Sequence, residues 1–130
     1  MKTVIADELD DVIWFVIVVF IHFGKVDFLI NNAGVVLVGP LEHLERSQLR
    51  EQFEINVFGH LELTRGVLPQ LRQAGGKIVM LSSVSSELTF PLYGPYSASK
   101  RALEAFTDAL AMELSPQGIQ VAIVQPGSHA

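Results

Sequence analysis

Lys77 to Leu81 reads KIVML, and the reading of this pentapeptide decides the fold. It lies between Ala74-Gly75-Gly76 and Ser82-Ser83, so turn-forming residues bound it on both sides. Five residues suit a strand and are too few for a helix. A strand this uniformly apolar is expected to be buried on both faces, as in a parallel sheet. Two further runs resemble it. Val26 to Ile30, VDFLI, leads into Asn31-Asn32-Ala33-Gly34, and Ile119 to Val124, IQVAIV, ends at Pro126-Gly127. Between the first and second runs, Glu45 to Arg72 has a helical pattern. Leu49, Phe53, Val57, Leu61, Leu68 and Leu71 repeat at spacings of three, four or seven and form one stripe. Pro69 is expected to distort or shorten the last turn. Between the second and third runs, Ser82 to Pro95 reads as a loop and Tyr96 to Leu114 as a long helix, broken by Pro116-Gln117-Gly118. Buried strands alternating with helices imply right-handed βαβ crossovers and an α/β fold with a parallel sheet.

Composition narrows the class. The chain has 130 residues, 49% of them hydrophobic and 18% charged, which suits one globular domain with a real core. The net charge of −5 and the lack of a Lys/Arg cluster argue against a nucleic-acid surface. Cysteine is absent, which excludes disulfides and a thiol nucleophile and fits a reducing, cytoplasmic setting. The four histidines have no metal-ligand spacing, so no metal site is expected. Near the N-terminus, Thr3 to Ala6 reads as the end of a strand and Asp7 to Asp11 as a helix start. The apolar run Val12 to Ile21 follows, closed by Gly24. This run is shorter than the roughly 20 apolar residues a bilayer span needs. A helix covered by protein is expected there, and membrane contact is not.

The residues fit for chemistry follow the strands. In open parallel sheets, ligands bind outside the carboxyl ends of the strands. Those ends carry Asn31 to Gly34, Ser82-Ser83 and Pro126-Gly127. Tyr96 and Lys100, four apart at the start of a helix, share one face. An ammonium there favours the tyrosinate form, and such a phenol can give or take a proton. Read from its spacing alone, the pair is more often an accident of a solvated face. Ser83 can polarise a substrate oxygen or simply cap a turn. Asn56, inside an apolar stripe, must find partners, either in packing or in a site.

Together these residues resemble the short-chain dehydrogenase/reductase family. The resemblance rests on NNAG (31–34), Asn56, SS (82–83), YSASK (96–100) and PG (126–127), in that order, and covers about Lys25 to Gly127. It implies a Rossmann-type, doubly wound parallel sheet in three layers, α/β/α, with Lys77 to Leu81 between the other two strands. It also implies hydride transfer between NAD or NADP and an alcohol or carbonyl. Tyr96 would be the general acid/base, Lys100 would stabilise the tyrosinate and hold the nicotinamide ribose, and Ser83 would orient the substrate oxygen. Asn56 would hold a water that links Lys100 to solvent. Asn32, Ala33 and Gly34 would pass near the adenosine, Asn31 would stabilise the sheet, and Pro126-Gly127 would border the nicotinamide. Family members commonly pair their two long helices, so a homo-oligomer is expected, helped by the small residues Ala98, Ala102, Ala105 and Ala109. The sequence departs from the family in lacking a TGxxxGxG turn to cradle the pyrophosphate. Asp7 would match an adenine-contacting Asp. Met1 to Ala130 therefore reads as the catalytic middle of such an enzyme, poorly active or inactive alone. The alternative is a non-catalytic relic or interaction module of the same fold. The choice between NAD and NADP, and the substrate itself, are not legible.

Overall fold

The computed structural model describes residues 24–127. The expectations placed on Thr3 to Ala6, on Asp7 to Asp11 and on the run Val12 to Ile21 lie outside them. Three parallel strands form the sheet: β1 (Phe28–Asn31), β2 (Lys77–Leu81) and β3 (Gln120–Val124), in the order β1-β2-β3. β2 is central, as expected. Leu29 pairs with Ile78, which pairs with Val121, and Asn31, Met80 and Ile123 form the next row. All six of these side chains share one face of the sheet, since side chains alternate along a strand.

That face holds the core. Leu29, Ile78 and Met80 pack with Leu63, Val67 and Leu71 from one helix and Leu103 and Leu114 from another, with Ile119 just before the start of β3. The opposite face carries Phe28, Lys77, Ala122 and Val124, all exposed, and Val79, half-buried. β2 is thus buried on one face, where its composition suggested two. Among the described residues the helices cover only one side of the sheet, and the second helical layer of a three-layer arrangement is not among them.

The first helical stretch comes in three parts: α1 (Arg46–Phe53), a π turn (Glu54–Phe58) and α2 (Gly59–Ala74). Glu45 and Gln48 start it with a reciprocal capping box. Pro69 does not shorten it, and α2 runs on to Ala74. Gly75 then takes a left-handed conformation, and the Gly76 N–H donates to the Leu71 carbonyl at 2.9 Å. Gly76 admits no side chain, because a Cβ would lie 2.8 Å from both Leu71 Cδ2 and the Val26 carbonyl. α3 (Gly94–Leu114) begins two residues before Tyr96, with Pro95 in its first turn. The alanine stripe on α3 does not pack on this sheet: Ala98 and Ala105 are exposed, while Leu103, Thr107 and Leu114 are buried. No helix among the described residues is long and apolar enough to cross a membrane.

Candidate active site

The buried face of α1, the π turn and α2 carries a polar residue at every fourth position: Gln52, Asn56, His60 and Thr64. Each grips the segment that runs on from β1. Thr64 Oγ1 accepts from Asn31 Nδ2 at 2.9 Å. His60 Nε2 meets the Ala33 carbonyl at 2.8 Å. Asn56 brackets Val35, accepting its N–H and donating to its carbonyl, both at 2.9 Å. Gln52 donates to the same carbonyl at 2.5 Å and accepts the Leu37 N–H at 2.7 Å. The partners are residues 31, 33, 35 and 37. Four helical residues rise about 6 Å and two extended residues about 6.6 Å, so the rungs of the two elements stay nearly in step. The ladder fixes the Asn31-to-Leu37 segment along the helix without a sheet partner beyond Asn31.

The π turn lies where this ladder meets the front of α3. Asn56 is fully buried, and its Nδ2 also donates to Ser99 Oγ at 3.1 Å. Ser99 Oγ in turn donates to the Tyr96 carbonyl at 2.7 Å. Lys100, 4% exposed, donates from Nζ to the Leu81 carbonyl at 2.8 Å, and this nitrogen lies 5.8 Å from the centre of the Tyr96 ring. A Cβ on Gly34 would stand 3.5 Å from Asn56 Oδ1 and 3.7 Å from Lys100 Nζ. Gly34, Asn56, Tyr96 and Lys100 therefore meet at the carboxyl end of the sheet. Burial lowers the pKa of the Lys100 ammonium, and the Glu104 carboxylate opposes that shift.

Ser83 sits two residues beyond Leu81 on the same rim. Its side chain caps the 3-10 turn Val84–Ser86, accepting from the Ser85 N–H at 3.1 Å. The capping reading is realised, and the hydroxyl proton stays available to a substrate oxygen. Asn31 bonds to Thr64 and, at 3.1 Å, to Met80 Sδ, tying β1 to α2 and β2. Asn32, Gly34, Pro126 and Gly127 are exposed on the rim, and Ala33 is half-buried. The Val84 N–H donates to the Pro126 carbonyl at 3.1 Å, which joins the second and third strand-end turns.

Sequence reasoning passed over Gln52, His60 and Glu104. The signal for the first two was the repeat of four that links them to Asn56 and Thr64. Among the described residues no three His, Asp or Glu side chains are grouped so that they could hold a metal ion.

Asn56→Ala is expected to cost about 2 kcal/mol of stability, because it strands the Val35 N–H, leaves the Val35 carbonyl with Gln52 as donor and opens a void beside Ser99. Urea unfolding at neutral pH measures the loss. A midpoint unchanged from the parent would mean that the ladder does not hold the segment.

The comparisons with known proteins agree with this architecture. The family model described as short chain dehydrogenase matches residues 5–130, and the chain belongs to this family. An uncharacterized oxidoreductase of Bacillus subtilis, YusZ, is 44% identical over 108 residues, covering 82% of this chain and 39% of the relative. The crystal structure of a short-chain dehydrogenase from Streptomyces avermitilis has a TM-score of 0.90 and 40% identity, over 98% of this chain and 48% of that one. An alcohol dehydrogenase from the archaeon Thermococcus sibiricus, complexed with 5-hydroxy-NADP, has a TM-score of 0.86 and 27% identity, over 93% of this chain and 51% of that one. This chain thus spans well under half the length of the curated relative and about half of the two structures.

Proposed function

We propose that this chain is the catalytic part of an NAD(P)-dependent oxidoreductase that transfers hydride between a nicotinamide cofactor and an alcohol or carbonyl compound. The observation that carries this reading is the meeting of Tyr96, Lys100, Asn56 and Gly34 at one end of a parallel sheet. The residues fit such a cofactor. Gly34 leaves room beside Lys100 Nζ that a methyl group would occupy. Lys100 donates one N–H to Leu81, and its other two suit ribose hydroxyls. Asn32, Ala33 and Gly34 would line the adenosine side, and Pro126 and Gly127 the nicotinamide side. The nicotinamide supplies or accepts the hydride.

In carbonyl reduction, negative charge builds on the substrate oxygen. Ser83 Oγ–H and Tyr96 O–H both donate to it, and Tyr96 then gives up its proton. The Lys100 ammonium stabilises the tyrosinate left behind. Asn56 Oδ1, which keeps a second lone pair beside Lys100, holds the water through which the proton is replaced. In alcohol oxidation the same groups act in reverse. A complex with 5-hydroxy-NADP in the Thermococcus protein supports a nicotinamide cofactor here without deciding between NAD and NADP. Self-association through α2 and α3 belongs to this reading, since Phe106 and Met112 are exposed on α3 and Phe58 is exposed at the end of the π turn that leads into α2. A cytoplasmic setting belongs to it as well.

Calorimetric titration of a complete enzyme that contains this segment with NADH and NADPH, followed by a ketone assay, tests the proposal. Saturable cofactor binding with ketone-dependent oxidation of the cofactor supports it. Binding of neither cofactor leaves the interaction-module reading in its place.

A further inference from the structure

One turn of α3 makes three grips on the segment that follows β2. Lys100 Nζ donates to the Leu81 carbonyl at 2.8 Å. Arg101 donates from Nε to the Ser86 carbonyl and from Nη2 to the Glu87 carbonyl at 3.2 Å. Glu104 Oε1 accepts the Ser82 hydroxyl in a short hydrogen bond. The same oxygen accepts from Gln125 Nε2 at 2.9 Å, and Gln125 also donates to Ser86 Oγ at 3.1 Å. Glu104 is therefore shared by three parts of the rim: α3, the turn holding Ser83, and the end of β3 just before Pro126-Gly127. Burial would raise the Glu104 carboxyl, but hydrogen bonds from Ser82, Ser86 and Gln125, with the Arg101 charge, hold it below the ordinary carboxylate value.

We propose that Glu104 is a positioning residue, clamping the turns that carry Ser83 and Pro126-Gly127 onto the helix that carries Tyr96 and Lys100. The catalytic meaning of the clamp rests on the oxidoreductase reading above. The clamp fixes where Ser83 stands relative to Tyr96, because Ser82 and Tyr96 are tied to the same helix. It also places a carboxylate one turn from Lys100. The other groups facing Lys100 are the Tyr96 ring on its own helix, His60 on α2, Asn56 on the π turn and the Leu81 carbonyl on β2.

The test uses the full chain without cofactor. The amides of Val84, Ser85, Ser86, Glu87 and Leu88 are all hydrogen-bonded within this turn or to Pro126, so hydrogen exchange reports on its closure. Glu104→Ala is expected to speed exchange at these amides at least about tenfold while leaving β2 and the interior of α3 unchanged. In Glu104→Gln, Oε1 still accepts from Ser82 and Gln125, so protection should return. The charge is gone, however, and the Lys100 side chain, followed by its nitrogen resonance, should lose its proton at lower pH than in the parent. A merely structural residue would not separate these two readouts. Unchanged exchange in Glu104→Ala, an equal loss across the whole chain, or an unmoved Lys100 titration in Glu104→Gln would each overturn the proposal. Failure of the oxidoreductase reading shows elsewhere, as an absence of NADH and NADPH binding by a complete enzyme that contains this segment.

Discussion

In a complete enzyme that contains this catalytic part, Tyr96→Phe is expected to lower the rate of NAD(P)H-dependent carbonyl reduction by about 10²–10⁴-fold, with cofactor affinity little changed. The substitution removes one oxygen and keeps the ring. The ring contact with Lys100 Nζ, the Ser99 hydrogen bond to the Tyr96 carbonyl and the Lys100 bond to Leu81 all survive, because none involves the phenol. Only the proton donor to the developing alkoxide is lost. Ser83 can still hydrogen-bond that oxygen, but an aliphatic hydroxyl is a far weaker acid than a phenol and does not replace the lost proton donor. Binding and turnover should therefore part company, with a calorimetric isotherm like the parent's and a steady-state rate near background. Parent-like turnover would remove Tyr96 from the acid/base role. A matching loss of cofactor affinity would mean that the hydroxyl serves binding.

The sheet was legible because each strand is an apolar run bounded by turn residues, and Lys77 to Leu81 matches β2 to the residue. Val26 to Ile30 was misplaced by up to two residues, since Val26 and Asp27 serve the turn against Gly76 and Asn31 completes the strand. The start of α3 was read late because Gly94 and Pro95 look like breakers, although proline suits a first helical turn. The long stripe was read from apolar residues alone. The structure leaves Leu61 and Leu68 only half-buried and buries His60 and Thr64. Polar residues on an amphipathic helix normally face solvent, and only the extended segment beside this one reveals them as rungs. Glu104 was invisible for a similar reason, since its partners Ser82 and Gln125 are 22 and 21 residues away in the chain. The pairing of Tyr96 with Lys100 was legible from helical spacing. The approach of Gly34 to both Lys100 and Asn56 needed the fold.

Acid is expected to weaken the fold through His60, and His60→Gln should remove that part of the effect. The ring is 3% exposed, and its pKa is lowered from 6.5 to about 4. Burial is the main cause, the hydrogen bond to Ala33 opposes it, and the Lys100 charge adds to it. The Ala33 carbonyl can only accept, so Nε2 carries the proton of the neutral ring. Nδ1 is buried without a hydrogen-bond partner, and protonation would place an unmatched N–H there and add a positive charge that the Lys100 ammonium repels. The folded-state pKa lies below the unfolded one. As pH falls from about 6.5 towards about 4, the unfolded chain takes up a proton that the folded chain refuses, and stability declines. The decline should reach about 2 kcal/mol between about pH 7 and about pH 5, and flatten below the folded pKa. Glu104, held below the ordinary carboxylate value, adds its own loss at lower pH, and this persists in the variant. The Gln side chain can still donate to the Ala33 carbonyl but does not titrate, so urea midpoints of the variant should fall much less over that window. Parallel pH profiles for parent and His60→Gln would show that His60 charges freely in the folded chain, and the ladder would then have to open at that rung.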